Sequence, residues 1–328
     1  QGNGRIIYAP ELKTLRFHDT FNKPISKQGL PLGLEELSFG DEYNHPFCGN
    51  VLPPTLTHLT LGKWFSKVLI SPVDGHKVLP KSLTHLTLGD AFDQPFITMD
   101  GVNVLPESLT HLTLGQEFNQ PLLGMLSPSL THLTFGKDFN QDIKIGVLPP
   151  SLTDLTFGED FNQDIKKEVL PPSLTHLTFG EDFNQNINVG VLPPSLTHLT
   201  FGAAFDQPLV NLDGVSILPV SLTHLAFGDW FKQPIGAGVL PHSLTHLTLG
   251  CSFNNPFVRG VLLPPLKELI LGFSFNQELG NDRGEKVLPD SLTHITFGRL
   301  FKQKFFTLSG ISLLPNSLLT ISMANYTE

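Results

Sequence analysis

The chain has 328 residues, with 21 basic and 30 acidic side chains and a formal net charge of -9 at pH 7. Its lysines and arginines are scattered without any basic block, which argues against nucleic acid or an anionic membrane as a partner. No apolar run approaches the ~20 residues of a membrane span, and the start carries no secretory apolar stretch.

Residues 1–11 (QGNGRIIYAPE) form a short N-terminal cap, in which Arg5, Ile6, Ile7 and Tyr8 are expected as an edge strand over an open end of apolar core. From residue 12 onward a single pattern, Leu-x-x-Leu-x-Phe or a close variant, recurs fourteen times, opening at Leu12, Leu34, Leu56, Leu83, Leu109, Leu130, Leu152, Leu174, Leu196, Leu222, Leu244, Leu266, Leu292 and Leu318. The spacing is 21 to 22 residues in the short copies and 26 to 27 in the long ones. Both lengths suit a coil of one strand and one return segment. The expected fold is therefore mainly β: a right-handed, leucine-rich-repeat-like solenoid of about fourteen coils over residues 12–328, one continuous domain with one parallel sheet and little or no α-helix. The first copy has Lys13 and Arg16 where later copies carry threonine, charges that protect a sheet edge.

The copy from Leu170 to Ile187, LPPSLTHLTFGEDFNQNI, shows how a coil is built. Alternation at Leu177, Thr178 and Phe179 reads as a short strand with one buried face, and Gly180 ends it. Phe183 and Ile187 complete the inner lining, while Pro171 and Pro172 hold an extended turn that cannot join a ladder. About five apolar side chains per coil, at roughly 1.5 to 3 kcal/mol each, offset only part of its ordering entropy, so neighbouring coils must supply the rest. Tyr43 replaces phenylalanine in the column of Phe183.

Five copies are long, and their extra residues carry Asp-Gly, Ser-Gly or Arg-Gly between apolar residues, as in FITMDGVNVLP from Phe96 and LVNLDGVSILP from Leu209. These read as two-stranded flaps. The last copy ends at SLLTISMANYTE, after its strand, which leaves an end face open to end-to-end self-association.

The main polar feature is a column at the third position of the repeat: His58, His85, His111, His132, Asp154, His176, His198, His224, His246 and His294, with Glu36 and Glu268 in two further copies. Thr113, Thr134, Thr156, Thr178 and Thr200 form a second row two residues on, on the same face. This double row is the candidate interaction face. Its imidazoles lie along a line, whereas zinc needs ligands that converge on a point, so no metal is expected. Mutual repulsion of imidazolium ions should lower their pKa values. The repeated serines of Pro-x-Ser-Leu are expected to bond local backbone groups. Glu159-Asp160 and Glu181-Asp182 read as a solvated acidic edge. With no phosphate loop, no metal motif and no nucleophile set apart by a base, no enzymatic activity and no cofactor are expected.

The segment Phe21-Asn22-Lys23-Pro24-Ile25 and its variants Phe205-Asp206-Gln207-Pro208-Leu209 and Phe231-Lys232-Gln233-Pro234-Ile235 follow the Leu-Pro-x-Ser-Leu-Thr-His-Leu-Thr-Phe-Gly pattern. Together they resemble the FNIP repeat family, a leucine-rich-like class. The resemblance implies a solenoid that binds other proteins, in chains often joined to an F-box or a kinase segment. Ser66, Lys232 and Lys302 replace the asparagine in three copies, so an asparagine ladder would be interrupted there. The reading favours a protein-interaction scaffold, with a carbohydrate-binding or extracellular structural module as the alternative. Two cysteines, Cys48 and Cys251, lie too many coils apart to pair and suit a reducing, cytoplasmic setting. A start at Gln1 without methionine reads as a processed or partial chain, and the sequon at Asn325 keeps an extracellular location open.

Overall fold

The computed structural model describes residues 11–124 and 126–323. The edge strand expected at Arg5 to Tyr8 and the sequon at Asn325 lie outside the described residues. The chain forms two compact units, residues 1–158 and 159–328. The first holds β1 (Thr14–Arg16), β2 (Glu36–Ser38), β3 (His58–Thr60), β4 (His85–Thr87), β5 (His111–Thr113), β6 (His132–Thr134) and β7 (Asp154–Thr156). The second holds β8 (His176–Thr178), β9 (His198–Thr200), β10 (His224–Ala226), β11 (His246–Thr248), β12 (Glu268–Ile270), β13 (His294–Phe297) and β14 (Thr320–Met323). Each strand belongs to one turn of a β-solenoid, and within each unit neighbouring strands are parallel and joined in strict register, as in His85↔His111, Leu86↔Leu112 and Thr87↔Thr113. The described residues contain no helix, and none is long and apolar enough to cross a membrane.

The strands sit one residue earlier than Leu177–Phe179 suggests. The amides of Thr197 and His198 both donate to the Thr175 carbonyl, at 2.9 and 3.0 Å, which starts the ladder at the histidine. Phe179 still donates to the Thr200 carbonyl at 2.9 Å as the chain turns inward. Leu174, Leu177, Phe179, Phe183 and Ile187 are all buried, as the alternation requires. The rings of Phe161, Phe183, Phe205, Phe231, Phe253, Phe275 and Phe301 stack in one column of the second unit, 6.1 to 6.3 Å from centroid to centroid. In the first unit the column runs from Phe21 through Tyr43, Phe65, Phe92 and Phe118 to Phe139.

Tyr43 is fully buried in that column, and among the described residues its hydroxyl makes no well-formed hydrogen bond, with only the Ile25 backbone acting on it from outside that geometry. Burial pushes its phenol well above the ordinary value. Replacing Tyr43 with phenylalanine is expected to raise stability by about 1 kcal/mol, because it removes a polar group that water satisfies only in the unfolded chain. A lower denaturation midpoint in Y43F would show that the hydroxyl is bonded after all.

Polar side chains tie each coil to the one before it. Ser82, Ser108 and Ser221 donate to the carbonyls of Leu56, Leu83 and Leu196 at 2.7 Å each. The serines therefore do bond backbone, but one coil away and not locally. In the asparagine slot, Asn162 Oδ1 accepts from the Asn184 amide, Asn184 from Asp206, and Asp206 from Lys232. This ladder is half-buried, and among the described residues it breaks at Ser66, whose short hydroxyl makes no bond to the Asp93 amide, and at Lys232, which has no acceptor for the Asn254 amide.

Every long copy raises the expected flap, closed by an antiparallel bridge: Ile70↔Lys77, Ile97↔Asn103, Val210↔Ser216, Gly280↔Lys286 and Phe306↔Ser312. The tips turn on glycines such as Gly101 at φ 77°. Deleting residues 99–103 shortens that copy from 26 residues to the 21 of the next one. The deletion variant is expected to unfold cooperatively with little loss of stability. Loss of the cooperative transition would make the flap part of the structural core.

The candidate interaction face

From β2 to β12 each strand places its first and third residues outward and its central leucine inward, so the two polar rows are set by the strand period. The first unit brings His58, His85, His111 and His132 into one stack on β3 to β6, with ring centroids 4.1 Å apart, and Asp154 follows on β7. In the second unit His176, His198, His224 and His246 stack at 4.1 to 4.3 Å. Glu268 stands between His246 and His294 and keeps His294 apart from the stack. The threonine row is also in register, Thr113↔Thr134↔Thr156 in the first unit and Thr178↔Thr200 in the second. No group of three or more metal-ligating side chains converges among the described residues.

What holds the imidazoles is a second threonine, one residue before each histidine. Thr84 Oγ1 lies 3.1 Å from the Thr57 carbonyl and 2.9 Å from His85 Nδ1. The same pair of contacts recurs at Thr110, Thr131, Thr223, Thr245 and Thr293. A carbonyl oxygen can only accept, so the single hydroxyl proton goes to it and the hydroxyl oxygen accepts from Nδ1–H. Away from the carboxylates of Asp154 and Glu268, the neutral imidazoles are thereby held as Nδ1–H tautomers, with the Nε2 lone pair outward. Sequence reasoning passed over this relay although its signal is present. All nine column histidines follow a threonine, while Thr14, Glu36, Glu268 and Thr320 follow Lys13, Glu35, Lys267 and Leu319. At the exception, Thr153 donates to the Asp154 carboxylate at 2.6 Å.

Charge enters the rows at a few points. Asp154 Oδ2 lies 3.4 Å from His132 Nε2, and Glu268 Oε2 lies 3.7 Å from His246 Nε2. Exposed acidic residues mark the turns after several strands, among them Glu181, Asp182 and Asp229 in the second unit. The pKa values of His85, His111 and His224 are lowered, first by burial and then by neighbouring imidazoles. Repulsion was the cause expected from the sequence, but partial burial within the stack is the larger one. The unfolded chain then binds more protons than the folded one between the lowered values and ~6.5, so stability rises with pH through that window and falls on acidification. Replacing His85, His111 and His224 with glutamine is expected to flatten the dependence of the thermal midpoint between about pH 5 and 6.5. Equal slopes in the two proteins would leave the column without an electrostatic role.

A family model described as FNIP Repeat matches residues 10–42, 21–64, 75–117, 118–160, 161–204, 205–252 and 281–326. Among solved structures, the chain is similar to CroV588, described as a novel circular LRR protein, at 40% identity and a TM-score of 0.62. The match covers 95% of this chain and 56% of that one, so the chain spans little more than half of that relative's length. The TLR13–ssRNA13 complex matches at 15% identity over 96% of this chain and 54% of that chain, with a TM-score of 0.56, which is a likeness of fold alone. An internalin (inlF) from Listeria monocytogenes str. 4b F2365 matches at 15% identity over 84% of this chain and 82% of its own, with a TM-score of 0.46. A comparison with curated proteins finds no match.

Proposed function

The chain belongs to the FNIP repeat family, and from that premise we propose that it is a non-enzymatic scaffold that binds another protein through the outward face of its strands. The observation that carries this reading is the relay under the histidines. Nine copies spend a threonine hydroxyl on fixing the orientation of an imidazole on the outward face. A face needed only for solubility gains nothing from ordered side chains, whereas a binding face does, because ordering before contact reduces the entropy lost on binding. The leucine-rich-repeat-like fold supports the same reading, since solenoids of this kind commonly mediate protein–protein interaction.

The test is capture on the immobilised chain beside a variant with alanine at His85, His111, His224 and His246. Proteins retained by the native chain and lost from the variant support binding through this face. An identical set retained by both places the binding elsewhere on the coils.

A further inference from the structure

We infer that Trp230, in the turn that ends β10, is a separate contact site and seats a single arginine side chain of a protein partner. This goes beyond the strand-face reading and does not rest on it. The chain has two tryptophans, and both stand at the same place in the repeat, two residues after the glycine that follows the strand: Gly62-Lys63-Trp64 and Gly228-Asp229-Trp230. They are 51% and 62% exposed, whereas the phenylalanines directly after them, Phe65 and Phe231, are fully buried. Rings so open to water add little to their own coils, and tryptophan is among the side chains that carry most of the binding energy at interfaces. The main chain beneath them is fixed, because the Trp64 and Trp230 amides donate to the carbonyls of Asp41 and Ala203 in the preceding coils at 2.9 Å. Each indole is therefore held in place before any contact is made.

The two copies show what such a ring accepts. Lys63 Nζ lies 5.3 Å from the centre of the Trp64 ring, within the range over which an indole face attracts a cation. At Trp230 the lysine position holds Asp229, so this indole has no cation from the residue before it and has a carboxylate beside it instead. The flanking positions in the adjoining coils are the small residues Ala204 and Ser252, which leaves room around the ring. Asp229 is exposed and takes a hydrogen bond from the Cys251 thiol, and a carboxylate has lone pairs for further donors. Lys232, two residues beyond Trp230, is paired with Asp206 at 3.2 Å, and Arg299 stands three coils further on. A guanidinium is planar and can lie on the indole while its edge donates to the carboxylate, a combination that the compact lysine ammonium does not offer. An acidic side chain is repelled by Asp229, and a neutral one lacks both attractions.

The experiment follows the two indole N–H signals of the full chain by NMR at constant ionic strength, with W64F to assign them. The probe is the peptide acetyl-Gly-Arg-Gly-amide, beside its citrulline counterpart, which keeps the planar head and loses the charge. The Trp230 signal is expected to move saturably with the arginine peptide, at a Kd of about 1 to 10 mM as suits one side chain, and to stay in place with the citrulline peptide. D229N is expected to weaken the arginine peptide about fivefold or more. K63D gives Trp64 the carboxylate neighbour of Trp230, and the Trp64 signal, unresponsive in the native chain, is expected to begin to move. The backbone spectrum of each variant shows in the same sample that it is folded. A Trp230 signal unmoved at concentrations well above the expected Kd, equal movement with citrulline, unchanged affinity in folded D229N, or an unresponsive Trp64 in folded K63D would each overturn the proposal. The alanine variant of the histidine column is expected to keep the Trp230 titration intact, so failure at either site leaves the other reading standing.

Discussion

Gly202→Ala is expected to destabilise the second unit by about 3 kcal/mol or more. A Cβ at that position would lie 2.1 Å from the carbonyl oxygen of Gly180, 2.4 Å from its carbonyl carbon and 2.7 Å from Glu181 Cα. All three atoms are backbone, so no side chain can turn aside, and the only relief is to spread two coils whose strands are hydrogen-bonded in register. The neighbouring positions repeat the contact, with 2.1 Å at Gly228, 1.7 Å at Gly250 and 1.9 Å at Gly272. Gly236→Ala is the control, because its added carbon would meet only Val239 Cγ2 at 3.7 Å, and its effect should stay within about 0.5 kcal/mol. Chemical denaturation of the two variants beside the native chain measures the difference. Similar midpoints for both would show that the coils separate at little cost.

Phe205→Ala should cost about 3 to 5 kcal/mol. Phe205 is fully buried, with ring centroids 3.8 Å from Phe201 and 6.2 Å from both Phe183 and Phe231. Removing it opens a cavity between two coils whose backbones are held apart at the strand spacing, so neighbouring rings cannot close over the gap. Phe306→Ala on a flap removes the same ring from a position 56% exposed and is expected to cost less than about 1 kcal/mol. A loss of stability as small at Phe205 as at Phe306 would mean that the column repacks freely.

The fourteen strands, their parallel register, the phenylalanine column and the five flaps were all legible from periodicity, because a pattern recurring at near-constant spacing gives each strand the same buried positions. What could not be read that way are the features that exist only between coils. Gly202 looked like a strand terminator, but its role is set by the approach of Gly180 from the preceding coil, a distance that no local pattern encodes. The serines of Pro-x-Ser-Leu likewise looked local and reach the coil before. On the outward face, the histidine column was plain in the sequence, whereas Thr223 and its equivalents were hidden by threonine's ordinary preference for strands. A hydroxyl that serves β-propensity and one that orients an imidazole are the same letter until the coils are stacked.

The hydrogen bonds that reach one coil back make the stack indifferent to which copy stands behind. If residues 222–243 were excised, Thr245 would meet the carbonyl of Thr197 in place of that of Thr223, to which it now donates at 3.0 Å, and Phe253 would come to rest on Phe205 as it now rests on Phe231. Ser221 would keep its bond to Leu196. Every seam would close with the chemistry it has now, at the loss of one interface. An insertion or deletion of other length between a strand and its phenylalanine slot, where no flap can take up the difference, would put the columns out of line. Unequal recombination within a gene of this kind is therefore filtered in steps of whole copies, and the length of the strand face becomes a heritable quantity that changes by counting.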